Sequence, residues 1–424
     1  MQEDFLHHIW KFQKFSKTTL QTEAGESLEV LHQGTHNLNS GPDFFNAQIR
    51  VGNQLWVGNL EIHLQSGDWY VHHHEIDSAY DNVILHVVWE HNTEVYQRDN
   101  TKIPTLVLKN RVNSFALANY TKLFTKNKKW INCEEDFAGV EDFLFQNWLE
   151  RLYVERLENK SAYIEKLLLD AKNDWEAVLF QLLAKNFGLK VNGDSFLSMA
   201  ASVDFSIVRK LWNKQEDLEA LFFGQAGLLE EDLEDPYQQD LQSQYNYFKT
   251  KFKLNNSGVI PVRFFRLRPV NFPTVRLAQL AALYAKEHTL FSKIVHAKDK
   301  KEIEKLFQVT TSPFWNTHYN FNSVSPNRIK KITKPFIDLV IINTVAPIQF
   351  LYAKKNATDK TDAIFELMAG IEKEENQIVK NFNSLKKVAN SAMESQALIE
   401  LKNNYCTKNR CLHCAVGSSL LQKN

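Results

Sequence analysis

The spacing of apolar residues changes period once along this chain, and that change limits the folds open to it. Between Leu28 and Leu108 the apolar residues come in short runs, Leu28–Leu31, Phe44–Val51, Leu55–Leu64, Val83–Trp89 and Ile103–Leu108, separated by Gly, Asn, Asp and Pro. That is the pattern of strands and turns. Ahead of them, Phe5, Leu6, Ile9 and Trp10 carry the i, i+3/i+4 spacing of an amphipathic helix over Glu3–Phe15. From Val112 onward helical spacing dominates, with helices expected at Val140–Leu169, Asp174–Phe187, Asp194–Ser202, Asp232–Phe252, Val275–Glu287 and from Thr358 towards the C-terminus. The fold class expected is therefore α/β (α+β): a mixed-sheet module over residues 1–130, then a mainly helical domain over 131–424. No Pro/Gly/Ser-rich linker marks the boundary, which rests on the change of period.

The length of 424 residues suits two to three domains, and 50 basic residues balance 50 acidic ones. A neutral chain is not a polycation that coats nucleic acid or an anionic membrane. The longest apolar stretch, Phe336–Leu351, is interrupted by Asp338, Asn343 and Pro347 and falls short of the ~20 residues a membrane span needs, so it reads as a buried helix. With no basic and apolar leader at the N-terminus, a cytoplasmic protein without a membrane partner is expected. Gly224-Gln225-Ala226-Gly227 lacks the Lys-Ser/Thr of a phosphate-binding loop.

The residues richest in chemistry lie between Asn37 and Trp89. His63, His72, His73, His74, His86 and His91 are six of the fourteen histidines, gathered within 29 positions beside Glu61, Asp68 and Asp77. Along Leu55–Gln65, Leu60, Ile62 and Leu64 share one face, which puts Glu61 and His63 together on the other. His86 is the one polar residue between Val83 and Trp89, a run apolar on both faces and so a central strand, where an imidazole needs a partner. Each residue also has a plain structural role open to it. Asp43 can cap a turn after Pro42, Glu61 can sit on a solvated face, Asp68 suits a turn, His72–His74 suit a surface loop and His86 a satisfied core position.

Asp43, Glu61 and His63 together offer the donors of a Mg²⁺ or Mn²⁺ site, with His86 as support. Strand register bears on this. A two-residue turn at Gly52-Asn53 pairs Val51 with Gln54 and sets Ile49, Ala47 and Phe45 against Trp56, Gly58 and Leu60, which leaves Asp43 opposite Ile62 and facing away from Glu61. A bulge, for which Gly58 is a plausible site, would bring the carboxylates together. Pro42-Asp43 followed by Glu61-Ile62-His63 resembles the PD-(D/E)xK nuclease superfamily, with Glu3 or Asp4 as the helix acid and His63 where that superfamily has lysine. The resemblance implies a nuclease-like module and metal-dependent phosphodiester hydrolysis, with Asp43, Glu61 and His63 at the ion and nucleic acid as partner. A non-catalytic nucleic-acid-binding or scaffold protein with a degenerate site is the alternative. A third reading, a histidine-rich transition-metal hydrolase acting on a small molecule, requires His63, His86 and one of His72–His74 to converge.

Asn-x-x-Ser-Gly-Pro-Asp-Phe from Asn37, Gly58-Asn59-Leu60-Glu61-Ile62-His63, Ser66-Gly67-Asp68-Trp69, the His72–His74 triplet and Arg266-Leu267-Arg268-Pro269-Val270-Asn271-Phe272-Pro273 resemble domain-of-unknown-function family 2851, a bacterial family with no established activity.

Three of the four cysteines, Cys406, Cys411 and Cys414, fall within the last twenty residues, and Cys133 is the fourth. Four thiols in so long a chain are not a disulfide framework. Their spacing and number fit zinc or a [4Fe–4S] cluster, between which the sequence does not choose. Two basic stretches, Lys122, Lys126, Lys128 and Lys129, and Arg263, Arg266, Arg268 and Arg276 among Phe264, Phe265 and Phe272, can hold phosphates, although a charged helical face explains them as well.

Overall fold

The structure, a computed structural model, describes residues 1–37, 39–124, 129–230, 235–321 and 323–422. Lys126, Lys128 and Asp232, all singled out by the sequence pattern, lie outside the described residues, as does Leu38 within the Asn37 motif. The chain forms two compact units: Met1–Trp148 with Ser384–Lys386 and Leu401–Asn424, and Leu149–Asn383 with Lys387–Glu400.

The first unit is built on a mixed six-stranded sheet. Helix α1 (Glu3–Lys11) precedes β1 (Leu28–His32), β2 (Thr35–His36), β3 (Phe44–Val51), β4 (Gln54–Gln65), β5 (Val83–Glu90) and β6 (Thr105–Val107). The strand order is β1-β3-β4-β5-β6, with β2 also paired to β3. The β1, β3 and β4 pairings are antiparallel, whereas β4, β5 and β6 run parallel. Period-two patterning therefore places every long strand of the sheet. Helix α1 is shorter than its apolar spacing suggests, because Gln13 turns left-handed (φ 53°) two residues past its end. Phe5, Leu6, Ile9 and Trp10 share a core with Leu60, Ile62, Leu85 and Val87. On the other side of the sheet Trp69 from α2 (Asp68–Val71), Tyr80, Val83, Val95 and Ile103 form a second, smaller core.

The β3–β4 register settles which way Asp43 faces. Val51 pairs with Gln54, Ile49 with Trp56 and Ala47 with Gly58, as the turn chemistry demands, but the next pair is Phe44 with Leu60. Two residues of β3, Phe45 and Asn46, thus oppose the single residue Asn59, and Asn46 takes a left-handed conformation (φ 57°). The bulge lies on β3 and not at Gly58, which has its own constraint: a Cβ there would stand 2.5 Å from Ile84 Cγ2 and 2.7 Å from the Asn82 carbonyl. With one residue inserted, side chains below the bulge change face, and Asp43 comes beside Glu61.

The second unit is helical, as the period predicts. After α3 (Ser114–Phe124) of the first unit, it contains most of α4 (Asp142–Asp170), then α5 (Trp175–Phe187), α6 (Leu189–Ala201), α7 (Phe205–Leu211), α8 (Gln215–Gln225), α9 (Pro236–Phe252) and α10 (Pro273–Lys286). Asp174 and Asp235 cap α5 and α9 through their carboxylates. The sequence pattern does not reveal α8, because residues 218–225 are all buried and leave no apolar stripe. Within α8 the fully buried Glu219 accepts hydrogen bonds from the Tyr237 hydroxyl, Trp315 Nε1 (3.0 Å), Gln215 Nε2 (2.9 Å) and Ser312 Oγ (3.3 Å). The helix Lys334–Lys355, long and apolar enough to cross a membrane, has 72% of its apolar window buried inside the structure.

Two substitutions test the strand geometry. Asn46→Val should lower the unfolding free energy by about 1–2 kcal/mol, since a β-branched residue resists left-handed backbone, while Asn46→Gly should be close to neutral; urea unfolding measures both. Gly58→Ala should destabilise the first unit, because the added methyl meets backbone as well as side chain.

Candidate metal centre

Asp43 is positioned by the loop before it. The Asn37 side-chain amide donates to the carbonyls of Asn39 (3.1 Å), Ser40 (3.1 Å) and Pro42 (3.0 Å), and Gly41 supplies a positive φ of 96°. The turn is thus held by Asn37, which leaves the Asp43 carboxylate to bridge strands. The Ile62 N–H donates to Asp43 Oδ2 (2.9 Å), and the Asp43 N–H donates to Glu61 Oε2 (3.1 Å). His7, one helical turn after Glu3 on α1, brings Nε2 to 3.1 Å from Asp43 Oδ2. Burial opposes a charge on His7, but the Asp43 carboxylate outweighs it and raises the His7 pKa.

His63 lies at the centre of an imidazole cluster. Its Nδ1 stands 2.8 Å from His86 Nε2 and its Nε2 stands 3.1 Å from His72 Nδ1. His74 Nε2 is 3.4 Å from Glu61 Oε1, and His63 Nε2 is 3.7 Å from the same oxygen. Among the described residues, His63, His72 and His74 are the one group of three or more His, Cys, Asp or Glu whose donor atoms lie within 4.8 Å of one another. His74 is held by ring contacts, stacking on Tyr80 at 3.8 Å and meeting Trp69 edge-on at 5.3 Å. His63 and His86 are almost wholly buried, whereas His72 and His73 are exposed. His74 thus leaves the surface-loop role open to it in the sequence, His72 stays at the surface while touching His63, and His73 keeps that role. Asp68 keeps its turn role, its Oδ2 accepting from the Gln65 N–H (2.9 Å).

Burial sets the protonation of the group. It pushes Glu61 up to about 9, helped by the neighbouring Asp43 charge, and pushes His63 down to about 3, helped by His74 and His72. His74 and His86 are lowered for the same first reason. At neutral pH the centre of the cluster is therefore a neutral carboxyl and neutral imidazoles. Since two neutral rings in contact share one proton, His63 can donate from Nδ1 to His86 and keep its Nε2 lone pair free on the His72 side. His74 Nε2 is buried without a hydrogen-bond partner. Nitrogen donors of this kind, next to a carboxylate, fit a divalent metal ion. Both Glu3 and Asp4 feel His7, but only Glu3 also feels His72 and Asp43, whereas Asp4 feels His413; of the two candidate helix acids, Glu3 borders the cluster.

The cysteines come together elsewhere in the same unit. All four are free thiols, Cys411 and Cys414 buried and Cys133 and Cys406 half-buried. They do not form a ligand group as tight as the histidines. The basic stretches divide as follows: Lys122 pairs with Asp136 and Lys129 with Glu135, and Arg276 is buried against the Phe336 ring, donating to Asn271 and Gln279, while Arg263, Arg266 and Arg268 are exposed. Sequence reasoning passes over His7 and the bulge at Asn46. The Glu3–His7 spacing of four residues, which puts both on one helix face, was the available signal for the former.

Fold and site together define a mixed-sheet module bearing a histidine cluster able to hold a metal ion, followed by a helical domain. The family model "Protein of unknown function (DUF2851)" matches residues 3–377, and the chain belongs to that family. No curated protein and no solved structure matches it. The likeness to PD-(D/E)xK nucleases rests on the motif residues alone.

Glu61 makes a pH-dependent prediction for metal-free protein. The folded chain keeps this proton up to about pH 9 and the unfolded chain releases it near the ordinary value of 4.5. Between those limits the unfolded state holds fewer protons, so stability falls as pH rises and levels off above 9. The melting temperature of Glu61→Gln should therefore exceed that of the wild type by a margin that widens from pH 5 to pH 8. A constant margin would show that Glu61 is not held protonated.

Proposed function

We propose that the chain is a divalent-metal-dependent hydrolase of phosphodiesters in nucleic acid, its ion held by His63, His72 and His74 with Glu61 and Asp43 as acidic neighbours. The observation that carries this reading is the convergence of three imidazole donors within 4.8 Å beside the Glu61 carboxylate. A bound ion supplies Lewis acidity and a water of lowered pKa. Imidazole and carboxylate donors in one set suit Mn²⁺ or Zn²⁺ better than Mg²⁺. Glu61, a buried carboxyl with an elevated pKa, is suited to hold and pass a proton near neutral pH. His86 orients His63 through the other ring nitrogen, and His7 holds the Asp43 carboxylate.

The phosphodiester assignment is supported by the order of the acids. The bulge sets Asp43 beside Glu61, and Glu3 on α1 borders the same cluster, which is the arrangement the Pro42-Asp43 and Glu61-x-His63 motifs call for. The imidazole-rich ligand set also favours a second reading, hydrolysis of a small molecule, because His63, His86, His72 and His74 do converge. The zinc or iron–sulfur centre expected at the cysteines is structural on either reading.

Calorimetric titration of Mn²⁺ and Zn²⁺ tests the site. The wild type should bind, His63→Ala and His74→Ala should lose binding, and His86→Ala should weaken it by about 10–100-fold. Equal affinity in all four proteins sinks the assignment. Cleavage of single-stranded, duplex and branched nucleic acid, run beside a small phosphodiester, then separates the two readings: cleavage of the small ester alone would remove nucleic acid as substrate.

A further inference from the structure

The cysteines hold the strongest unassigned chemistry outside the histidine cluster. Cys133 lies shortly before α4, and Cys406, Cys411 and Cys414 lie more than 270 residues later, yet the fold places all four in one compact unit. The thiol of Cys406 lies within electrostatic reach of Cys414, Cys133 and Cys411, and that of Cys133 within reach of Cys414 and Cys411. No disulfide joins them.

Burial raises the pKa of all four thiols, and hydrogen-bond donors oppose it at Cys411 and Cys414. The Asn132 side-chain amide donates to Cys411 Sγ (3.4 Å) and to Asn409 Oδ1 (3.2 Å), tying the Cys133 segment to the C-terminal turn. The backbone N–H groups of Gly417 and Val416 point at the Cys414 sulfur. The turn is tightly wound: the Asn409 N–H donates to the Cys406 carbonyl (3.2 Å), and the Cys414 N–H to the Cys411 carbonyl (3.2 Å). A Cβ on Gly417 would stand 2.1 Å from that Cys411 carbonyl, so only glycine lets the chain close over the thiols. N–H donors on buried sulfur stabilise thiolates, and a cluster of thiolates in a buried place needs a cation.

From this geometry we infer that Cys133, Cys406, Cys411 and Cys414 hold a four-thiolate metal centre that fastens the segment after Leu401 to the N-terminal module. The same segment contributes Leu412 and Leu421 to the module's core, and His413 stacks face to face with His36 at 6.5 Å. A single zinc, with Zn–S near 2.3 Å, draws its sulfurs to within about 4 Å of one another. One zinc ion or one [4Fe–4S] cluster would each use all four thiolates.

Metal and acid-labile sulfide analysis of protein purified without oxygen tests the centre, with chelator-treated wild type, Cys133→Ser, Cys411→Ser and His63→Ala alongside. Support is either about four irons with sulfide per chain or one zinc, absent from both cysteine variants and retained in His63→Ala. Retention in His63→Ala separates this site from the proposed hydrolytic ion. Stripping the metal from intact wild type should make the chain after Leu401 sensitive to limited proteolysis, a readout that does not depend on the variants folding. No bound metal, metal retained by the cysteine variants, or a disulfide among these residues in the wild type would overturn the inference.

Discussion

One extra residue in β3 governs the chemistry of the N-terminal module. Strand side chains alternate, so inserting Asn46 into the β3–β4 ladder moves Asp43 from the face of Ile62 to the face of Glu61. Each acid is then fixed by the other's strand: Asp43 accepts from the Ile62 N–H, and Glu61 accepts from the Asp43 N–H. The left-handed turn at position 46 is tolerable because asparagine adopts it readily. Without the bulge, Glu61 would keep its histidines and lose the second carboxylate.

The second constraint is dryness. Glu61 and His63 stand 3.7 Å apart, close enough for an ion pair, but burial drives the carboxyl towards its neutral form and the imidazole likewise. The cluster therefore contains donors without charge, an arrangement to which a divalent cation brings what the protein withholds. Trp69 and Tyr80 enforce the burial and also fix the His74 ring. The exposed His72 is the side on which the cluster meets solvent.

The helical unit gives two of its buried charged groups, Glu219 and Arg276, partners of their own. Glu219 is surrounded by four donors, and Arg276 is stacked on Phe336 with two oxygen acceptors. The Arg276 guanidinium is therefore spent inside the fold, and only Arg263, Arg266 and Arg268 remain of the arginine–aromatic group as surface charge.

Sequence alone determined the sheet module, the helical domain after it, and the pairing of Glu61 with His63 on one strand face, because side-chain periods of two and 3.6 are local properties of backbone geometry. It also determined that His86 would sit in a central strand in need of a partner. Which partner, and which way Asp43 points, were decided by tertiary structure. A bulge changes face without changing composition, and His72 and His74 read as loop residues until Trp69 and Tyr80 fold the segment over the sheet. The sequence grouped Cys133 with Cys406, Cys411 and Cys414 by number alone, and the packing of the whole unit decided that all four lie in one compact body.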